Sequence, residues 1–261
     1  VRIASWNVNS VRARLEQVLR FCGEQRPDVL ALQETKVEDR DFPIEPFRAL
    51  GFELLLNGQK GYNGVALLAR RPLSEPCREL AGFAGAERRY LAASLGPLRL
   101  ANVYVVNGQE VGSEKYAYKL RWLEALRAEL QAELRRWPAL VVLGDFNVAP
   151  ADLDVHDPAA WEGQIHCSEP EREALRAILR LGLSDAFRHL HPDARAFSWW
   201  DYRQGAFRRD AGLRIDLVLV SAPLLPRLRA AGIERAVRAW ERPSDHAPVW
   251  IELEEAEGAP P

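Results

Sequence analysis

Apolar and polar positions follow two rhythms along the chain. Residues 1–8 alternate, with Ile3, Ser5 and Asn7 on one face, and predict a strand. Residues 11–25 change to helical spacing through Leu15, Val18, Leu19 and Cys22, and Pro27-Asp28 ends that helix. Residues 29–32 predict a short buried strand leading into Gln33-Glu34. Residues 52–56 and 65–69 predict a strand pair around the glycine-rich stretch 57–64. Two further strands, 90–95 and 98–106, turn at Gly96-Pro97. Ser113 is suited to cap a long helix whose apolar stripe is Tyr116, Leu120, Leu123, Leu126, Leu130, Leu134 and Trp137, with Pro138 as the stop. Residues 140–143 form a fully apolar strand ending at Gly144, and 149–169 read as irregular. Helices are expected over 171–181 and 184–190, and strands over 215–220, 233–240 and 249–253. The acidic stretch 254–261 is expected to fray.

No low-complexity linker divides the chain, so one domain is expected over 1–253. Its halves share a plan of strands with polar ends followed by a long helix. That plan predicts two packed sheets with helices outside, a layered α/β sandwich.

Composition narrows the function classes. With 261 residues, 48% hydrophobic and 28% charged, the chain is ordinary globular material, which excludes a collagen-like rod and a disordered chain. No apolar run approaches the ~18 residues of a membrane span, and the first 25 residues do not read as a signal peptide. Three cysteines at irregular spacing make neither a disulfide framework nor a zinc site, so a reducing cytoplasm is expected. The net charge of −2 gives no global attraction for polyanions, and any nucleic-acid role needs a local basic surface. Basic residues are 31 Arg against four Lys, a bias toward the side chain that grips phosphate bidentately; coding bias or heat resistance explains it as well.

Five segments put Asp, Asn, Glu or His just beyond an apolar strand: Trp6-Asn7-Val8-Asn9, Gln33-Glu34-Thr35-Lys36, Gly144-Asp145-Phe146-Asn147, Arg214-Ile215-Asp216 and Ser244-Asp245-His246. Taken singly, each is ordinary turn chemistry. Converging at one rim, they make an oxygen-rich site with a single histidine, suited to Mg²⁺ or Mn²⁺ rather than zinc. A histidine with carboxylates nearby also suits general-base work or polarisation of a phosphate.

In this order, Gln33–Lys36, Gly144–Asn147 and Ser244-Asp245-His246-Ala247-Pro248 resemble the exonuclease III family of abasic-site endonucleases, within the endonuclease/exonuclease/phosphatase superfamily. The resemblance is collinear from Ile3 to about Glu252. Phe197-Ser198-Trp199-Trp200-Asp201-Tyr202-Arg203 and Gly212-Leu213-Arg214-Ile215-Asp216 point to its DNA-repair branch. It implies a four-layer, DNase I-like sandwich of two mixed sheets flanked by helices. It also implies Mg²⁺-dependent cleavage of double-stranded DNA 5′ to abasic sites, leaving a 3′-hydroxyl, with 3′→5′ exonuclease and 3′-phosphatase work on blocked 3′ ends, by a monomer without a membrane partner. Mn²⁺ is an alternative ion.

The resemblance implies roles by position. Glu34 matches the main metal ligand, with Asn7, Asn9, Asp145, Asn147, Asp245 and His246 around the metal. Asn9 stands where eukaryotic members carry Asp. Asp145 and Asn147 match the residues that handle the attacking water, and Asp216 and His246 match the pair beside the scissile phosphate. Tyr104 falls at the active-site tyrosine of a Tyr-x-Pro-Asn turn in which Val106 replaces Pro, and Asn107 at a phosphate contact. Lys60, Tyr62 and Asn63 lie in the DNA-backbone loop 57–64, Arg88-Arg89 add a phosphate grip, and Trp199, Leu213 and Ile215 line the pocket for a base-less sugar. Arg203, Gln109 and Glu110 stand where eukaryotic members wedge side chains into the duplex. Two rivals stay open: a phosphoesterase of the superfamily acting on a small or lipid phosphate, which needs neither Trp199 nor the 57–64 loop, and a DNA-binding paralogue without catalysis.

Overall fold

The computed structural model describes residues 1–255. Among the described residues, twelve strands form two mixed six-stranded sheets. The first contains β1 (Arg2–Asn7), β2 (Val29–Gln33), β3 (Glu53–Asn57), β4 (Val65–Ala69), β11 (Leu228–Ile233) and β12 (Val249–Leu253), ordered β11-β12-β1-β2-β4-β3. The second contains β5 (Ser74–Cys77), β6 (Tyr90–Leu95), β7 (Leu98–Tyr104), β8 (Leu140–Asp145), β9 (Leu183–Asp185) and β10 (Asp216–Ser221), ordered β5-β6-β7-β8-β10-β9. Six α-helices accompany them: α1 (Leu15–Gln25), α2 (Ile44–Ala49), α3 (Glu114–Arg136), α4 (Pro158–Trp161), α5 (Glu169–Leu179) and α6 (Ala186–Leu190).

Strands buried on both faces place alternate residues in different layers. Ile3, Ala31, Leu67, Leu91, Leu100, Leu143 and Val220 fill the space between the sheets. Their neighbours Ala4, Leu30 and Leu68 pack outward with Phe21 and Phe47 of α1 and α2, and Ala101, Val142 and Leu219 pack outward with Leu126 and Ile178 of α3 and α5. The result is the expected four-layer sandwich. A polar rivet crosses its middle: Asn102 donates to the carbonyls of Leu32 (3.0 Å) and Ala66 (2.9 Å) and accepts from Gln33 Nε2 (2.8 Å).

Several elements differ from the sequence reading. The strand expected over 233–240 lies earlier, as β11, and Arg235–Ala239 is a 3₁₀ turn whose Val237 packs outside the first sheet. β11 is poor in strand formers, but Gly232 leaves room for Trp250 of β12; a Cβ there would meet its ring at 2.6 Å. The first helix starts at Leu15, β9 occupies the beginning of the helix expected over 184–190, and α4 interrupts the irregular stretch. On α3, Ser113 caps as expected by accepting from Tyr116 N (3.1 Å). Its buried face, however, carries Lys119, Trp122 and Glu133, while Leu120 and Leu134 are only partly buried. At the tail, Glu254 is not frayed: its N–H donates to Arg227 O at 2.8 Å. Residues 256–261, also expected to fray, lie outside the described residues.

Candidate active site

Strand ends from both sheets meet at one rim. β1 and β2 run parallel with Asn7 beside Gln33, so Glu34 emerges next to Asn7. In the second sheet Tyr104, Asp145 and Asp216 stand in register across β7, β8 and β10. Gly144 permits this: its φ is +148°, and a Cβ would lie 1.9 Å from the Val103 carbonyl oxygen, so only glycine lets β8 approach β7 here.

Hydrogen bonds tie these ends together. Asn7 Nδ2 donates to Glu34 Oε1 (3.0 Å) and to Asp145 Oδ2 (2.9 Å), joining the carboxylates of the two sheets through one amide. Asn147 donates its N–H to Asp145 Oδ1 (2.9 Å) and its Nδ2 to Asp145 Oδ2 (3.2 Å). His246 Nδ1 faces Asp216 Oδ2 at 2.8 Å, which leaves Nε2 pointing toward Asp145, 3.7 Å away. Ser198 Oγ donates to Asp216 (2.6 Å), and Trp6 Nε1 donates to the His246 carbonyl (3.0 Å). Asp145, Asp216 and His246 are buried and offer ligand atoms within 4.8 Å of one another.

Burial and charge tune these groups in different directions. Burial, with Asp216 adding to it, pushes Asp145 up to about 7, against the pull of His246. Burial works against a charged His246, but Asp216 and Asp145 outweigh it and raise the imidazole to about 10. Burial also opposes ionisation of Glu34, yet Lys36 and Asn7 prevail and hold it below the ordinary carboxylate range. Burial, and then the Glu34 charge, keeps the Tyr104 hydroxyl protonated well above its usual range.

Around this centre, Lys36 Nζ lies 2.9 Å from Glu34 Oε2 and donates to Asn9 Oδ1 at 2.6 Å. Asp245 accepts from Asn9 Nδ2 (3.1 Å) and Trp199 Nε1 (3.0 Å). Asn107 Nδ2 reaches Asn147 Oδ1 at 3.4 Å. All five strand-end segments therefore converge.

The outer residues divide. Lys60, Arg203 and Asn107 are exposed, and Tyr62 is 73% exposed, although Arg203 pairs with Asp201 at 2.6 Å. Asn63 is buried, donating to Gln59 Oε1 at 3.0 Å. Arg89 differs from the expected surface grip: it is buried, paired with Glu87 (2.7 Å), with its guanidinium 4.5 Å over the Tyr104 ring, which it clamps. Leu213 and Ile215 are fully buried in a cluster with Val155 and Cys167, and only Trp199 of the three expected wall residues is partly open. The Trp199 ring lies 6.3 Å from His166 and 6.5 Å from Trp161. Sequence reasoning missed His166, Ser198 and Lys119. The signals for them are a histidine in an irregular stretch, a lysine beside an apolar stripe and the place of Ser198 in the Phe197–Arg203 segment.

The chain is similar to known proteins along nearly its whole length. Residues 4–246 match the Endonuclease/Exonuclease/phosphatase family. Exodeoxyribonuclease III of Haemophilus influenzae is 37% identical, with 97% of this chain and all of that protein aligned. A 3′ phosphatase from Neisseria, solved with a product DNA hairpin, superposes with a TM-score of 0.96 at 41% identity, covering 97% of this chain and 99% of that one. An AP endonuclease from Archaeoglobus fulgidus superposes at 0.94 with 38% identity, covering 98% and 100%. The chain belongs to the endonuclease/exonuclease/phosphatase family, in its exonuclease III branch of DNA-repair nucleases, and is a phosphodiester-hydrolysing enzyme. Among the described residues no helix is long and apolar enough to cross a membrane.

Proposed function

We propose that the protein hydrolyses phosphoester bonds of double-stranded DNA at abasic sites and at blocked 3′ ends, leaving a 3′-hydroxyl. The observation that carries this reading is the buried Asp145–His246–Asp216 cluster, opening beside Glu34 and Asn7. Asp145, with a carboxyl poised near neutrality, takes the proton of the attacking water, while Asn147 fixes both of its oxygens. His246, held charged by Asp216, turns Nε2 toward the reacting phosphate and stabilises the charge that builds on its oxygens. Tyr104, protonated at neutral pH, is a donor for the departing oxygen.

The donor set fits a hard divalent cation. Glu34 Oε2 and Asn9 Oδ1 already converge on one cationic point, the Lys36 ammonium, and the remaining groups offer oxygen and imidazole but no sulfur. Mg²⁺, or Mn²⁺, would be held by Glu34 with Asn7, Asn9, Asp145, Asn147, Asp245 and His246 at its margins; Asn7 would have to turn its amide, whose nitrogen now faces the carboxylates. When bound, such an ion supplies charge stabilisation at phosphate oxygens.

A second, narrower reading favours 3′ ends over abasic sites. Trp161, His166 and Trp199 pack against each other at the wall that the resemblance assigns to a base-less sugar, and Leu213 and Ile215 are fully buried in the same cluster. A terminal 3′ phosphate needs no such pocket. The Neisseria relative, named as a 3′ phosphatase, supports the same weighting. One assay tests both readings: a duplex with an internal abasic site and a duplex ending in a 3′ phosphate, each with Mg²⁺ or with EDTA. Turnover of either duplex only with Mg²⁺ is expected, with the 3′ phosphate faster. Abasic cleavage as fast as phosphate release would remove the narrower reading, and inertness toward both duplexes would remove the wider one.

A further inference from the structure

A lysine with no exposed surface lies behind the site. Lys119 of α3 is 0% exposed. Its Nζ donates to the Asn147 carbonyl at 2.7 Å and to the Asn107 carbonyl at 3.1 Å, and pairs with Glu171, itself fully buried. Glu171 is fixed in turn: it accepts from His166 N (3.1 Å), Ser168 N (3.2 Å) and Ser168 Oγ (2.5 Å). The Asn147 carbonyl takes a second bond from His166 Nδ1 at 2.7 Å. All three ammonium donors thus have partners, and two of them hold the main chain of the loops that follow β7 and β8.

Packing alone does not account for this choice. The same helical face is completed by Leu123, Leu126 and Leu130, and an apolar residue at 119 would avoid the desolvation of a buried charge pair. The backbone is shaped to admit the lysine stem: Gly108 has φ +90°, and a Cβ there would come within 3.0 Å of Lys119 Cδ. Asn147 sits at φ +50°, a left-handed conformation that asparagine tolerates better than most residues. Its side chain meets Asp145 on one side and Asn107 on the other.

We infer that Lys119 is a positioning residue, one that sets the angle of the Asn147 and Asn107 side chains at the mouth of the site by gripping their main-chain carbonyls. The inference rests on the proposed role of Asn147 in orienting Asp145. Lys119 touches no substrate; it acts through the loops.

The test is a kinetic double-mutant cycle on a duplex ending in a 3′ phosphate, with thermal melting recorded for every variant. Lys119→Met is expected to lower kcat at least tenfold with KM within twofold of wild type, and to lower it no further in an Asn147→Ala background. Because Lys119→Met alone strands a buried Glu171, Lys119→Met/Glu171→Gln removes both charges and is expected to melt near wild type while keeping the kcat loss. Additive losses of Lys119→Met and Asn147→Ala, or a well-folded double-charge variant with wild-type kcat, would overturn the positioning role and leave the active-site reading intact. Full activity of Asn147→Ala alone would instead overturn the reading of Asn147 itself, and the inference with it.

Discussion

At the scale of single residues, the site works by giving similar groups different surroundings. Asp145 and Glu34 are both mostly buried carboxylates bonded to the same Asn7 amide, yet Asp145 is pushed up and Glu34 held down. Burial prevails at Asp145 despite the pull of His246, whereas Lys36 and Asn7 outweigh burial at Glu34, which separates a proton acceptor from a lasting anion. Losing even outer partners of a metal costs about tenfold or more in affinity, so Glu34→Ala should raise the Mg²⁺ concentration for half-maximal rate by at least that factor. A metal titration giving the wild-type midpoint would make Glu34 structural. His166 offers a test by pH. Burial, with Lys119 adding to it, depresses its imidazole to about 3. The unfolded chain therefore binds a proton below its ordinary value that the folded chain refuses, and stability present above that value is lost as pH falls. Between pH 7 and pH 5 this amounts to about 2 kcal/mol. Urea unfolding of His166→Asn at both pH values should show a smaller acid loss than wild type; comparison at equal pH cancels the opposite contribution of His246. Equal acid losses would mean that His166 charges freely in the fold.

At the scale of elements, the sheets are joined by polar contacts as well as apolar ones. Asn102→Leu deletes three buried hydrogen bonds and leaves the Leu32 and Ala66 carbonyls and Gln33 short of partners. A cost of about 2–4 kcal/mol is expected from groups stranded in this way, read as a lower denaturant midpoint. A change below about 0.5 kcal/mol would place the rivet among neutral surface-like contacts. The elements legible in the sequence were those with one clear period. β1, β2, β4, β6 and β8 are apolar runs bounded by turns, and Ser113 announces α3. β11 was displaced because Leu-Arg-Ala-Ala-Gly-Ile carries little strand propensity, and its place is set by Trp250 fitting over Gly232. The α3 stripe was misread because Lys119 and Glu133 belong to its buried face only through partners distant in sequence, Glu171 and Arg99. The strand-end carboxylates could be found because each follows an apolar run. The Trp161–His166–Trp199 packing could not, since it joins segments with no shared period.

At the scale of the whole molecule, the chain has no overall attraction for DNA, with a net charge of −2. The proposed function assigns that attraction to exposed cations such as Lys60, since Arg89 is spent inside the fold on Glu87 and Tyr104. Each phosphate contact contributes about −0.9 to the slope of log affinity against log salt on duplex DNA, so Lys60→Ala should flatten that slope by about one unit. Binding of the variant to intact and 3′-phosphate duplexes across a salt series in EDTA reads this directly, and an unchanged slope would remove Lys60 from the DNA-binding surface. Strand ends from two sheets assemble one centre around Asp145, proposed as the base for hydrolysis. Asp145→Asn keeps the shape and removes the base, and such a loss costs about 10²–10⁴-fold in rate. The decisive measurement is phosphate release from a 3′-phosphate duplex by Asp145→Asn with Mg²⁺, alongside binding of the same duplex. The expected rate is at least a hundredfold below wild type, with affinity equal or tighter, since one negative charge near the phosphate is gone. More than a tenth of wild-type turnover at undiminished affinity would contradict it.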